Sequence, residues 1–194
     1  MIIGDLFAGV GGMSEGFRMA GFDVAFAIEY DKDIAASYKK NHTDTDVIAD
    51  DICNVDVVLL HQKHPHIDVI IGGPPCQGFS IAGKRMIDDE RNQLYKSFVE
   101  FVALYQPKVF LMENVPNIIS MGKGSIKEQI IQDFEALGYT INYKVLLAAD
   151  FGVPQNRKRA FFVGLKNGQL FDFPKPLLSQ VITCQEAISD LSES

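Results

Sequence analysis

The sequence predicts an α/β fold with a mostly parallel sheet covered by helices on both faces. Three observations lead there. Short apolar runs alternate with stretches of helical periodicity along most of the 194 residues, the βαβα order of such folds. Runs such as Val69-Ile70-Ile71 are continuously apolar, as strands buried on both faces are. Glycine or proline closes the helical stretches, at Gly21, Pro107 and Gly138.

The elements follow in order. Residues 2–7 read as a strand and 11–19 as a helix ending at Gly21. Residues 24–28 form the second strand, and 32–40 a helix ending near Asn41. Residues 47–49 make a short third strand, and 69–71 a central one. Leu94, Phe98, Phe101, Val102 and Tyr105 share one helical face over 94–105, which Pro107 stops. Residues 109–112 are another buried strand. A helix over 126–137 is closed by Gly138, and strands at 139–147 and 160–165 flank a basic, turn-rich segment. Beyond Leu165 the pattern weakens into Pro174 and Pro176, and a short helix starts at Thr183. Neither repeats nor low-complexity tracts interrupt this order.

With 47% hydrophobic residues the chain can bury a sizeable core. It shows no signal peptide, Arg-rich leader or long apolar span, so a soluble cytoplasmic protein is expected, without a membrane partner. Cys53, Cys76 and Cys184 lie far apart without a CxxC pair, which indicates neither a disulfide framework nor a zinc ribbon. A net charge of −7 and a pI near 5.0 argue against this chain alone gripping a polyanion. His61-Gln62-Lys63-His64-Pro65-His66 has the composition of a metal site. Its spacing does not suit one, and Pro65 makes it a solvated loop before a strand. No metal is expected.

Asp5-Leu6-Phe7-Ala8-Gly9-Val10-Gly11-Gly12 joins the first strand to the first helix. Its glycines let the backbone approach a ligand at the helix start. The dinucleotide pattern fails because Ser14 occupies the third glycine position. Glu29, at the end of the second strand, can accept hydrogen bonds from ribose hydroxyls, or it can simply favour the following helix. Asp51 follows the third strand in the same way, and its carboxylate can accept from an exocyclic amine while Ile52 packs on a purine. Together these residues suggest a nucleoside-bearing cofactor across the strand ends.

Gly72-Gly73-Pro74-Pro75-Cys76-Gln77-Gly78-Phe79-Ser80 follows the central strand. The prolines and glycines stiffen the backbone around the sulfur, as positioning a nucleophile requires. A lone cysteine is commonly a small inert hydrophobe; this setting distinguishes Cys76. Glu113-Asn114-Val115 ends the next buried strand, where a partly desolvated carboxyl could keep or share a proton. In Gln155-Asn156-Arg157-Lys158-Arg159, strand alternation places Arg157 and Arg159 on one face, away from Lys158, where both can bind oxygens.

In this order, the four motifs resemble those of the cytosine-C5 DNA methyltransferases of bacterial restriction–modification systems. Asp5 to Gly12 is similar to that family's cofactor loop, and Pro74-Pro75-Cys76-Gln77 to its catalytic motif. Glu113-Asn114-Val115 is similar to its acid motif, and Gln155 to Arg159 to its Gln-x-Arg-x-Arg motif. The resemblance covers essentially the whole chain. It implies a three-layer Rossmann-like methyltransferase fold with S-adenosylmethionine as cofactor, S-adenosylhomocysteine as product and double-stranded DNA as partner. Cys76 would add to C6 of a flipped-out cytosine, Glu113 would engage N3 and the exocyclic amine, and Arg159 would hold O2. Arg157 would support the loop or a phosphate. Asp5, Phe7, Ala8, Gly9, Gly11, Gly12, Glu29, Tyr30, Asp51, Ile52, Pro74 and Leu94 would serve the cofactor site, with Tyr30 stacking on adenine. Gln77, Ser80, Lys84, Arg85, Asn114 and Gln155 would approach DNA or the target base, the first four from a mobile loop.

The resemblance also implies an incomplete catalytic domain over 1–194. Its 1–75 half would mainly bind cofactor, and its 76–165 half would mainly carry the chemistry. A target-recognition region and a returning C-terminal segment are absent from the sequence. A second polypeptide supplying them is therefore expected, with exposed apolar surface where they would pack. Two alternatives stay open at this level: an RNA cytosine-C5 methyltransferase, and a non-catalytic remnant or subunit.

Overall fold

The computed structural model describes residues 1–75, 93–177 and 182–191. Its centre is a sheet of β1 (Ile2–Leu6), β2 (Asp23–Glu29), β3 (Asp46–Ala49), β4 (Val69–Gly72), β5 (Val109–Asn114), β6 (Thr140–Leu147) and β7 (Lys158–Leu165). The strand order is β3-β2-β1-β4-β5-β7-β6. The first five pair in parallel, and β7 runs antiparallel to both β5 and β6. The order reverses beside β1, where chain connections leave the sheet to opposite sides and a crevice opens at the strands' carboxyl ends.

The helices are α1 (Gly12–Met19), α2 (Lys32–Asn41), α3 (Val57–Lys63), α4 (Gln93–Tyr105), α5 (Ser125–Ala136) and a short α6 (Cys184–Ala187). Their starts are written locally. Asp31 caps α2 and Asp56 caps α3 through backbone amides two and three residues on, and Thr183 with Glu186 forms a capping box on α6;. The helix α3 corrects one expectation, since His61 and Lys63 lie in its last turn rather than in a loop. His64 follows as its cap residue and pairs with Asp46 at 2.9 Å. No group of His, Cys, Asp and Glu suited to a metal ion occurs among the described residues. No described helix is long and apolar enough to cross a membrane.

One face of the sheet holds an aromatic core. Phe98 of α4 and Phe134 of α5 meet edge to face at 6.1 Å, and Phe134 stacks on Phe110 of β5 at 4.0 Å. All three are fully buried. Phe110 sits directly opposite Gly164 on β7, and only a residue without a side chain leaves room for that ring. Truncating Phe134 to alanine empties the centre of this stack. It is expected to cost about 3–5 kcal/mol of unfolding free energy, measurable by urea denaturation. The opposite face has a smaller core of Ile3, Val69 and Ile71 under α1. Beside it an open apolar groove is lined by Met13, Phe17, Phe22, Leu111 and Phe161.

Candidate active site

Two clefts open at the carboxyl ends of the parallel strands, and Phe7 lines both. Phe7 follows β1 directly and lies in the left-handed region at φ 59°, which few non-glycine residues adopt. The next amide, of Ala8, is held by the Ile28 carbonyl at 3.0 Å.

The first cleft has a volume of about 410 Å³ and is lined by Phe7, Ile28, Glu29, Tyr30, Asp50, Asp51, Ile52, Pro75 and Leu94. Its walls are apolar and its rim is acidic, with no Lys or Arg among the described lining residues. The described carboxylates give an anionic nucleotide no counter-charge and offer one to a nucleoside bearing positive charge. Glu29 does more than face this cleft. Its Oε2 accepts from the Gly9 amide at 2.8 Å and its Oε1 from the Asp31 amide at 2.9 Å, so it ties the glycine turn to the start of α2. Asp51 accepts from the Cys53 amide at 2.9 Å, which orders the turn carrying Ile52. Asn54 and the Asp51 amide hydrogen-bond Asp50 and hold its carboxyl below the usual range. The Tyr30 ring is largely exposed at the mouth.

The second cleft has a volume of about 750 Å³ and brings together Ala8, Gly12, Gly73, Glu113, Gln155, Arg157 and Arg159, with Leu146, Phe151 and Val153. Both β5 and β7 run further than expected, to Asn114 and from Lys158. Glu113 and Phe161 are therefore register partners, and Arg159 lies along β7 from Phe161 on the same face. Arg159 Nε meets Glu113 Oε1 at 2.7 Å, each side chain about a quarter exposed. Such a partly desolvated, charge-assisted contact holds the two groups side by side. A side chain at Gly73 would reach within 3.1 Å of Glu113 Oε2, so that glycine keeps the carboxylate's approach to the β4 end open.

Several expected residues stand elsewhere. Asn114 is buried with both amide groups committed: Nδ2 donates to the Pro74 carbonyl at 2.9 Å and Oδ1 accepts from the Val115 amide at 2.8 Å. It braces the Pro-Pro bend and is not among the described residues that line these two clefts; Pro74 is buried beneath that bond while Pro75 faces the first cleft. Asn114→Ala would leave the Pro74 carbonyl unpaired. It is expected to cost about 1–3 kcal/mol, read as a lower midpoint in urea. Asp5 is fully buried behind the glycine turn. Gly11 serves packing: at φ 94° it caps α1, and a Cβ there would strike His42. Gly9 supplies the amide that Glu29 holds. Cys76, Gln77, Ser80, Lys84 and Arg85 lie outside the described residues. Sequence reasoning missed Asp50, Pro75, Leu146, Phe151 and Val153. Adjacency to Asp51 and to the Pro-Pro pair could have flagged the first two; the last three are apolar and unmarked by any motif.

Topology and twin clefts define a Rossmann-like α/β fold of the methyltransferase kind. The family model described as C-5 cytosine-specific DNA methylase matches residues 1–194, and the chain belongs to that family. It is 45% identical over 189 residues to the Type II methyltransferase M1.HphI of Haemophilus parahaemolyticus, covering 95% of this chain and 51% of that protein. It is 46% identical over 184 residues to M.AquIA of Picosynechococcus, covering 88% of this chain and 74% of that one. A crystal structure described as a DNA modification methyltransferase encoded within an E. coli prophage superposes with a TM-score of 0.81 at 34% identity, over 97% of this chain and 54% of that one. The chain thus spans about half the length of most of the relatives it matches.

Proposed function

We propose that this chain carries the cofactor-binding and catalytic part of an enzyme that methylates C5 of cytosine in duplex DNA, with S-adenosylmethionine as donor. The observation that carries the reading is the Glu113–Arg159 pair in one cleft, at the end of the strand beside the one leading to Cys76, next to an acidic–apolar cleft. Family membership supports it. Phe7, Glu29, Tyr30, Asp51, Ile52 and Leu94 would hold the donor: apolar walls suit the nucleoside, and the carboxylate rim suits a sulfonium and an ammonium. Bound there, S-adenosylmethionine supplies an electrophilic methyl group.

The chain's own residues would make C5 able to take that group. The Cys76 thiolate forms a bond to C6, and electron density moves through the ring toward N3 and O2. Glu113 shares a proton with N3 and accepts from the exocyclic amine; Arg159, already beside it, donates to O2. After transfer, loss of the C5 proton to a base, taken to be water, lets the Cys76–C6 bond break and restores the thiolate. These atoms lie inside the duplex stack, so the base must be flipped into the second cleft. Arg157 and Gln155 line that cleft and would meet the nucleotide's oxygens. Duplex grip and sequence choice are assigned to the part of the relatives' length that this chain does not span, on the same or a second polypeptide. The net charge of −7 supports that division.

The test is transfer of labelled methyl from S-adenosylmethionine to mixed-sequence DNA, with RNA in parallel and Cys76→Ala as control. Incorporation at cytosine C5 of DNA, lost in the variant, is expected. Label on an exocyclic amine, or on RNA alone, would overturn the reading.

A further inference from the structure

A buried polar chain lies behind the glycine turn, and nothing in the proposed chemistry uses it. Asp5, in the middle of the sheet, is fully buried. Its Oδ2 accepts from the Ser14 hydroxyl at 2.6 Å, and Ser14 in turn accepts from the Tyr38 hydroxyl at 2.7 Å. Asp5 Oδ1 and His42 Nδ1 are buried with no hydrogen-bond partner among the described residues. His42 stacks on Tyr38 at 4.5 Å and packs beneath Gly11. The cluster thus spans β1, the first turn of α1 and the end of α2, while β2 holds the Ala8–Gly12 turn through the Ile28 carbonyl and Glu29.

We propose that Asp5 is a positioning residue whose charge state, relayed through Ser14 and the nearby Glu29, sets how firmly the glycine turn is held for its ligand. The proposal rests on the cofactor reading above. Among the described residues, five titratable or charged groups face the cluster: Glu29 from β2, Glu15 and Arg18 from α1, and Tyr38 and His42 from α2 and its cap. Glu29 and Arg18 act on the cluster electrostatically, and Glu15 lies 3.8 Å from His42 Nδ1. Burial, and then the Glu29 charge, work against ionising Asp5 and raise its pKa from 3.8 to about 7, although the Ser14 bond opposes them. With Asp5 neutral, the hydroxyl chain can run in either direction. With Asp5 ionised, Tyr38 and Ser14 must both donate toward it. An unpaired charge then faces the Glu29 carboxylate that grips the Gly9 amide, and repulsion loosens that grip.

The experiment has two arms on the full chain. In the first, affinity for S-adenosylmethionine is measured by calorimetry from pH 6 to pH 9. The ligand's own amino group titrates in this range and affects both proteins alike; wild type is expected to weaken by at least about fivefold more than Asp5→Asn, and the same pH profile in both proteins overturns the proposal. The second arm needs no ligand. The Gly9 and Gly11 amide resonances are followed over the same range, and they should titrate near neutral pH in wild type and not in Asp5→Asn. Resonances that titrate alike in both overturn the proposal; if Asp5→Asn does not fold, Ser14→Ala replaces it, with the titration expected to move to higher pH because the bond favouring ionised Asp5 is gone, and an unmoved titration overturning the proposal. Absence of binding at every pH with titrating glycines would fault the cofactor reading and leave the Asp5 assignment standing.

Discussion

Cys76→Ser is expected to reduce methyl transfer by about four orders of magnitude or more while leaving S-adenosylmethionine affinity within about twofold of wild type. The size follows from chemistry. C5 of cytosine takes a methyl group only once C6 carries a nucleophile. A serine hydroxyl stays protonated at neutral pH, whereas a thiol supplies thiolate readily. When a group makes the covalent bond, its loss removes most of the rate, leaving what binding alone contributes. Affinity should survive because serine is nearly isosteric with cysteine and the described residues that line the first cleft are left unchanged. Single-turnover kinetics alongside calorimetry checks both halves. A serine variant that turns over at the wild-type rate would sink the covalent mechanism.

The second large effect is expected at Glu113. Glu113→Gln keeps the shape but cannot cycle a proton with N3, so turnover should fall by about 10²–10⁴-fold. It also breaks the 2.7 Å ion pair, leaving the Arg159 guanidinium without its partner in a partly desolvated cleft. Loss of Arg159 alone, as Arg159→Ala, should therefore cost less than additive expectation when combined with Glu113→Gln, because the two side chains work as one unit. Measuring kcat/KM for both single variants and the double variant checks this. Strictly additive losses would mean that the two residues act on separate steps.

Much of the architecture was legible because hydrophobic burial dictates it. Val69-Ile70-Ile71 could only be a strand buried on both faces, and Gly21 and Gly138 marked helix ends where φ is positive;. What escaped was written in polar residues whose partners are distant in sequence. Val57-Val58-Leu59-Leu60 shows little helical periodicity, and only the Asp56 cap announces α3. Glu113 and Arg159 were visible as motif residues. That they share one cleft depends on the antiparallel β5–β7 register, which pairs Glu113 with Phe161 and Asn114 with Ala160. Asn114 illustrates the limit best. Beside a candidate catalytic carboxyl, a polar residue invites a proposed role toward substrate. Strand alternation turns it to the other face, where the Pro74 carbonyl takes it. Ser14 likewise looked like a defect in a glycine pattern and is instead the link between Asp5 and Tyr38.

The central claim, a thiolate attack by Cys76 on a base held by Glu113 and Arg159, is tested most directly by covalent trapping. DNA containing 5-fluorocytosine cannot lose fluorine from C5, so the enzyme–base bond persists after methyl transfer. Incubated with this DNA and S-adenosylmethionine, the protein is predicted to form a denaturation-resistant adduct that peptide mass spectrometry maps to Cys76. Methyl transfer to ordinary cytosine at C5 without such an adduct, or an adduct mapped to Cys53 or Cys184, would contradict the account.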